Sequence, residues 1–96
     1  MRRTDPKPVG DIFDELFRSP DIAAKIAEGY LPDTWREVVG NRVADMTSQI
    51  RLQHGTLYVH VVSSVVRSEL MLQREALRIA LNNRSRVPIV NKLVIK

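Results

Sequence analysis

Arg67, Arg74 and Arg78 are separated by seven and then four residues. At about 100° per residue they fall within an arc of about 40° on one helix. Three guanidinium groups in line over about three turns can follow a phosphate backbone, because each presents a fork of donors to phosphate oxygens. The same spacing also suits a plain solvated face, since arginine is a good helix former. Arg84 and Arg86 follow just beyond, where positive charge complements the carbonyl end of a helix. Between residues 67 and 86 the only acids are Glu69 and Glu75.

A second set of groups lies on segments of period two. Arg51, Tyr58, His60 and Lys92 are expected to share the side opposite Leu57, Val59 and Val61. A tyrosine among cations can stack a nucleobase. One aromatic is fewer than a dedicated stacking platform uses, so an ordinary wet face of an antiparallel sheet is the competing reading. No constellation points to catalysis. The chain has no glycine-rich phosphate loop, no Ser-His-Asp set and no cysteine. His54 and His60 have no ligand partner at metal spacing, so no metal site and no cofactor are expected. Asp11, Asp14 and Glu15 are close together, but in the first turns of a helix acids simply favour the macrodipole.

The elements that must carry these groups follow from periodicity and breakers. Residues 1–8 hold two prolines and read as a flexible arm, with one domain over 9–96. Val9, Ile12, Phe13, Leu16 and Phe17 predict a helix over about 9–18. Ser19-Pro20 opens a second, with Ile22, Ala23, Ile26, Ala27 and Tyr30 as its stripe, ending near Gly29. A third is expected over about 32–46, carrying Trp35, Val38, Val39, Val43 and Met46, with Gly40 marking a close contact or a bend. Trp35 is read as a core anchor between helix and sheet. The period then changes to two, predicting a hairpin of 48–53 and 56–62 turned by His54-Gly55. Ser63 or Ser64 caps one long crossover helix running to about 82–83, with Val66, Leu70, Leu77 and Leu81 facing the core. A last strand follows Pro88, with Ile89, Leu93 and Ile95 on one face. The predicted class is α+β, in the order α-α-α-β-β-α-β, with a three-stranded sheet covered on one face.

The crossover helix also carries a second apolar edge of Val65, Leu72, Ala76 and Ile79. Burial beneath the first two helices is the expected state. An open edge would instead be a partner-binding surface.

Charge sets the broad class. The 96 residues carry a net charge of +4. Residues 1–45 hold seven basic and nine acidic side chains, a net of −2, whereas residues 46–96 hold eight and two, a net of +6. Such asymmetry points to a polyanion-facing side. No apolar run approaches the ~20 residues that span a bilayer, and no apolar segment follows Arg2-Arg3, so neither a membrane partner nor a secretion signal is expected. A reducing cytoplasm is the default compartment.

Three stretches share a known pattern. The first is Trp35-Arg36-Glu37-Val38-Val39-Gly40 followed by Val43-Ala44, the second Gly55-Thr56-Leu57-Tyr58-Val59-His60-Val61 running into Ser63-Ser64, and the third Glu69-Leu70. In this order and spacing the chain resembles the domain of unknown function 721 family, the DciA-like proteins, from about Ile12 to Ile95. The resemblance implies a bacterial, non-enzymatic DNA-replication accessory protein that helps load or operate the replicative DnaB-type helicase. It also implies a K-homology (KH)-like fold of the type that begins with a helix and a hairpin. KH domains that clamp nucleic acid use a Gly-x-x-Gly loop between helices. Glycines 10, 29, 40 and 55 form no such loop. Single-stranded DNA or RNA is the expected further partner, without a small-molecule substrate. The candidate nucleic-acid residues are Arg67, Arg74, Arg78, Arg84, Arg86, Arg51, Tyr58 and Lys92, and the candidate partner residues are Val65, Leu72 and Ile79. Two other readings stand beside this one: a general RNA or single-stranded DNA module, and a protein–protein adaptor with no nucleic-acid role.

Overall fold

Residues 19–96 are described by a computed structural model, and the expected arm over 1–8, the helix over 9–18 and the acids at 11, 14 and 15 lie outside them. Helix α1 spans Pro20–Gly29, with Pro20 in the first turn, where a missing N–H costs nothing. It buries Ala23 and Ala27, whereas Ile22 and Tyr30 of the expected stripe are exposed. Helix α2 covers Leu31–Val39 and α3 covers Asn41–Asp45. The expected third helix is therefore two. Gly40 separates them at φ 91° and ψ 163°, a conformation open almost only to glycine. A Cβ there would meet nothing within 4 Å, so the bend, not a close contact, is what requires glycine.

Strand β1 (Thr47–Gln53) pairs antiparallel with β2 (Thr56–Val61), and β3 (Lys92–Ile95) pairs parallel with β2. His54 and Gly55 both have positive φ, 52° and 80°, as a two-residue turn with the twist of its strands demands. Between β2 and β3 the chain crosses over the sheet. The crossover is α4 (Ser64–Leu72) followed by α5 (Arg74–Ser85), not one helix. Ser63 caps α4, its Oγ accepting from the Val66 N–H at 3.3 Å. The break falls at Gln73, φ −108° and ψ 13°, whose N–H turns to the Leu70 and Met71 carbonyls. Neither proline nor glycine stands there, so tertiary packing imposes it. Leu70, Leu77 and Leu81 all reach the core across the break. The architecture is α+β, with five helices and a three-stranded sheet of order β1-β2-β3 among the described residues.

The core lies between the sheet and the helices. Leu57 and Val59 of β2 are fully buried and meet Leu81, Leu93, Ile95 and Trp35 in one cluster. Trp35 anchors helix to sheet as expected. Its Nε1–H donates to Thr47 Oγ1 at 2.9 Å, and that hydroxyl donates to the Val43 carbonyl at 3.1 Å, so one chain of bonds joins α2, α3 and β1. Asn82 of α5 holds the segment before β3. Its Nδ2 donates to the Val90 carbonyl and its Oδ1 accepts from the Val90 N–H, both at 2.9 Å.

Thr47→Val leaves the buried Trp35 N–H without an acceptor. Urea unfolding followed by Trp35 fluorescence should show a loss of about 1–3 kcal/mol, largely restored in Thr47→Ser. Gly40→Ala should cost about 1–3 kcal/mol through backbone strain alone. Gly29→Ala has no such strain and no contact within 4 Å, so it should be neutral or gain up to about 1 kcal/mol in the same assay.

Candidate nucleic-acid interface

Because the described helices cover only one face of the sheet, the other face collects every outward residue of the three strands. Register places Arg51 opposite Tyr58, Tyr58 opposite Val94, and Thr56 opposite Lys92. The Arg51 guanidinium carbon lies 5.5 Å from the centre of the Tyr58 ring and Lys96 Nζ lies 5.4 Å from it. Both are within cation–π range. Gln49, Arg51 and Gln53 are exposed on β1, and Lys92 and Lys96 at the two ends of β3, while Tyr58 and His60 are half-buried between them. No Asp or Glu occurs between Asp45 and Glu69 or after Glu75, so none of the three strands carries an acidic side chain. Arg51, Tyr58 and Lys92 were expected here; Lys96 was not singled out. Its place beside Tyr58 follows from the parallel pairing of β3, which alternation within one strand does not reveal.

The arginines of the crossover are not one free stripe. The break at Gln73 puts Arg67 on a different helix from Arg74 and Arg78. Arg67 is half-buried; its Nη2 donates to the Val61 carbonyl at 3.1 Å, and its Nε is buried without a partner. Arg78 grips the Glu75 carboxylate through Nη2 at 2.6 Å and Nε at 3.0 and 3.1 Å, and donates to the Val90 carbonyl at 3.3 Å. These bonds hold the Glu75 carboxyl below the usual carboxylate range and raise the Arg78 guanidinium above its own. Arg84 pairs across the fold with Glu37 of α2, Nη2 to Oε1 at 2.9 Å. Arg86 ends α5 in the left-handed conformation at φ 64° and is exposed. Arg74 is exposed at the start of α5, beside Lys92 and the edge of β3. Of the expected cations, Arg74 alone on the helices joins the sheet group.

The residues of the second apolar edge are exposed, contrary to the expectation of burial, and the same break divides them, with Val65 and Leu72 on α4 and Ile79 on α5. Val65, Leu72 and Ile79 are 70%, 87% and 48% exposed. Helix α2 packs on α5 and α1 packs on α2, and the other helix expected to cover this edge, over 9–18, lies outside the described residues. Leu72 stands at the α4–α5 junction, where a nucleic-acid-clamping KH domain would carry Gly-x-x-Gly. The junction here reads Met71-Leu72-Gln73-Arg74, an apolar knob instead of a phosphate clamp. Among the described residues no three His, Cys, Asp or Glu side chains gather to hold a metal, and no helix is long and apolar enough to cross a membrane.

Comparison with known proteins agrees with the sequence pattern. The family model described as Dna[CI] antecedent, DciA, matches residues 8–95. A UPF0232 protein in the recF-gyrB intergenic region of Mycolicibacterium smegmatis is 32% identical over 73 residues, 76% of this chain and 38% of that protein. A UPF0232 protein of Mycolicibacterium paratuberculosis is likewise 32% identical over 76% of this chain, and one of Mycobacterium leprae is 29% identical over the same share. The chain spans about two fifths of the length of these relatives. A match over nearly its whole length, on a helix–hairpin–helix–strand order that the resemblance implied, means that this chain belongs to the DciA family.

Proposed function

We propose that this chain is a non-catalytic replication accessory domain that binds single-stranded nucleic acid on the open face of its sheet and docks on a DnaB-type replicative helicase. One observation carries the nucleic-acid part: a face of strands without acidic side chains, on which Tyr58 lies between Arg51 and Lys96 with Lys92 alongside. The cations neutralise phosphates while the tyrosine offers a flat surface to a base, and the two contributions add because they act on different parts of a nucleotide. With no glycine clamp at the α4–α5 junction, strand binding rests on this face rather than on that loop. The helicase part rests on family membership. Its contact surface is the exposed apolar pair Val65 and Leu72 of α4, with Ile79 on α5 beyond the break, which water hydrates at a cost until a partner covers it.

Fluorescence anisotropy with a labelled oligothymidylate tests the sheet face. Arg51, Lys92 and Lys96 together predict a log–log salt slope of about −2, from about −0.7 per phosphate neutralised on a single strand. Tyr58→Ala should weaken binding by about 1–3 kcal/mol. Arg84→Gln, whose guanidinium is already paired with Glu37, should change affinity by less than about twofold. Equal losses at Arg84 and Tyr58 would move the site to the helices.

Co-precipitation with the DnaB-type helicase of the same organism tests the second part. Folded protein at micromolar concentration should be retained, and Leu72→Glu should abolish retention while leaving thermal unfolding unchanged. No retention of the unaltered protein removes the helicase reading and leaves a general single-strand module.

A further inference from the structure

Among the described residues strand β3 is an edge of the sheet, and its outer side is unpaired. The Lys92 N–H bonds to Gly55 and the Lys96 N–H to Val59, while the Lys96 carbonyl accepts from Val61. In a parallel ladder the residues between these, Leu93 and Ile95, turn their N–H and C=O groups away from β2. Among the described residues nothing accepts from or donates to them. Leu93 and Ile95 are only 4% and 6% exposed, and no described residue pairs with these main-chain groups. Such groups are costly to leave unsatisfied. Their outlet is a groove of about 460 Å³ between β3 and the α4–α5 junction, bordered by Met71, Arg74 and Glu75.

We propose that this groove accepts an extended polypeptide segment as a fourth strand beside β3, with side chains alternating between apolar and acidic. Backbone pairing follows from the free groups of Leu93 and Ile95, which match the repeat of a strand. The alternation follows from the two faces of the sheet. A strand added there turns every second side chain toward the helices, where Met71 is partly exposed and apolar. The remaining side chains join the outer face, next to Lys92 and Lys96, where no strand residue is acidic. Arg74 adds a cation at the rim, and the one acid there, Glu75, is neutralised by Arg78. Charge complementarity therefore selects an acidic strand over a basic one. Met71 and Arg74 are exposed on the helix surface, so these two rim side chains are free to swing aside as the strand enters.

The probe is a capped ten-residue peptide of alternating valine and glutamate, titrated into the ¹⁵N-labelled protein and followed by amide hydrogen exchange. The amides of Leu93 and Ile95 should become protected at least about tenfold, with no change along the free edge of β1. A peptide N-methylated at alternate residues should bind at least about tenfold more weakly, as should the valine–lysine peptide, and Lys92→Glu should weaken the valine–glutamate peptide similarly. Unchanged exchange at Leu93 and Ile95, or equal binding of the N-methylated peptide, overturns the proposal. Protection of those two amides by oligothymidylate but not by peptide also overturns it and gives the edge to nucleic acid. None of these outcomes depends on whether Tyr58 stacks a base.

Discussion

The described helices cover one face of the three-stranded sheet and leave the other to water, and the central strand β2 must satisfy both at once. Its inward side chains, Leu57 and Val59, have no exposed surface. Burying each such side chain contributes about 1.5–3 kcal/mol, a large share in a domain whose net stability is a small difference between large terms. Because side chains alternate along a strand, that burial fixes the outward set as Thr56, Tyr58 and His60. A slip of one residue would place tyrosine and histidine in the core and the aliphatics Leu57, Val59 and Val61 in water. The polar face is thus a geometric consequence of the core, and its register is as secure as the core itself.

The bonds around the sheet serve the same constraint. Trp35 is tied through Thr47 to Val43, which sets α2 and α3 against β1. Asn82 and Arg78 both bond to Val90, which fixes where β3 begins and brings Lys92 and Lys96 onto the same face as Tyr58. Much of the arginine in the second half of the chain is structural wiring of this kind. Arg67 tethers the start of α4 to the end of β2, and Arg84 links α5 to α2. A positive net charge on a segment therefore overstates the charge free for a partner, and the free part gathers on the sheet and at Arg74.

Local signals in the sequence were reliable where the cause was local. His54-Gly55 announced the hairpin turn, the pair Ser63-Ser64 a cap for α4 that Ser63 supplies, and the spacing of Leu70, Leu77 and Leu81 the buried stripe. Trp35 was legible as core because its neighbours repeat at helical spacing. Gly40 announced either a close contact or a bend, and the structure shows the bend, with the helix stopping there. What stayed hidden depends on distant residues. The break at Gln73 has no breaker residue and arises from packing on both sides. The commitment of Arg84 to Glu37 joins positions 47 apart. The nearness of Lys96 to Tyr58 needs the direction of β3, which no pattern within that strand encodes. For these reasons the sheet candidates Arg51, Tyr58 and Lys92 come together in the structure, whereas the arc drawn through Arg67, Arg74 and Arg78 divides.

The central claim is that the wet face of the sheet, and not the crossover helices, is where a single strand lies. Chemical-shift mapping of the ¹⁵N-labelled protein with unlabelled oligothymidylate tests it most directly, since it reports position without altering any residue. The account predicts that perturbations centre on Arg51, Tyr58, His60, Lys92 and Lys96, with ring-current shifts around Tyr58 and little change from Leu77 to Ser85. Perturbations that follow α5 through Arg78 and Arg84 while the three strands stay silent would contradict it.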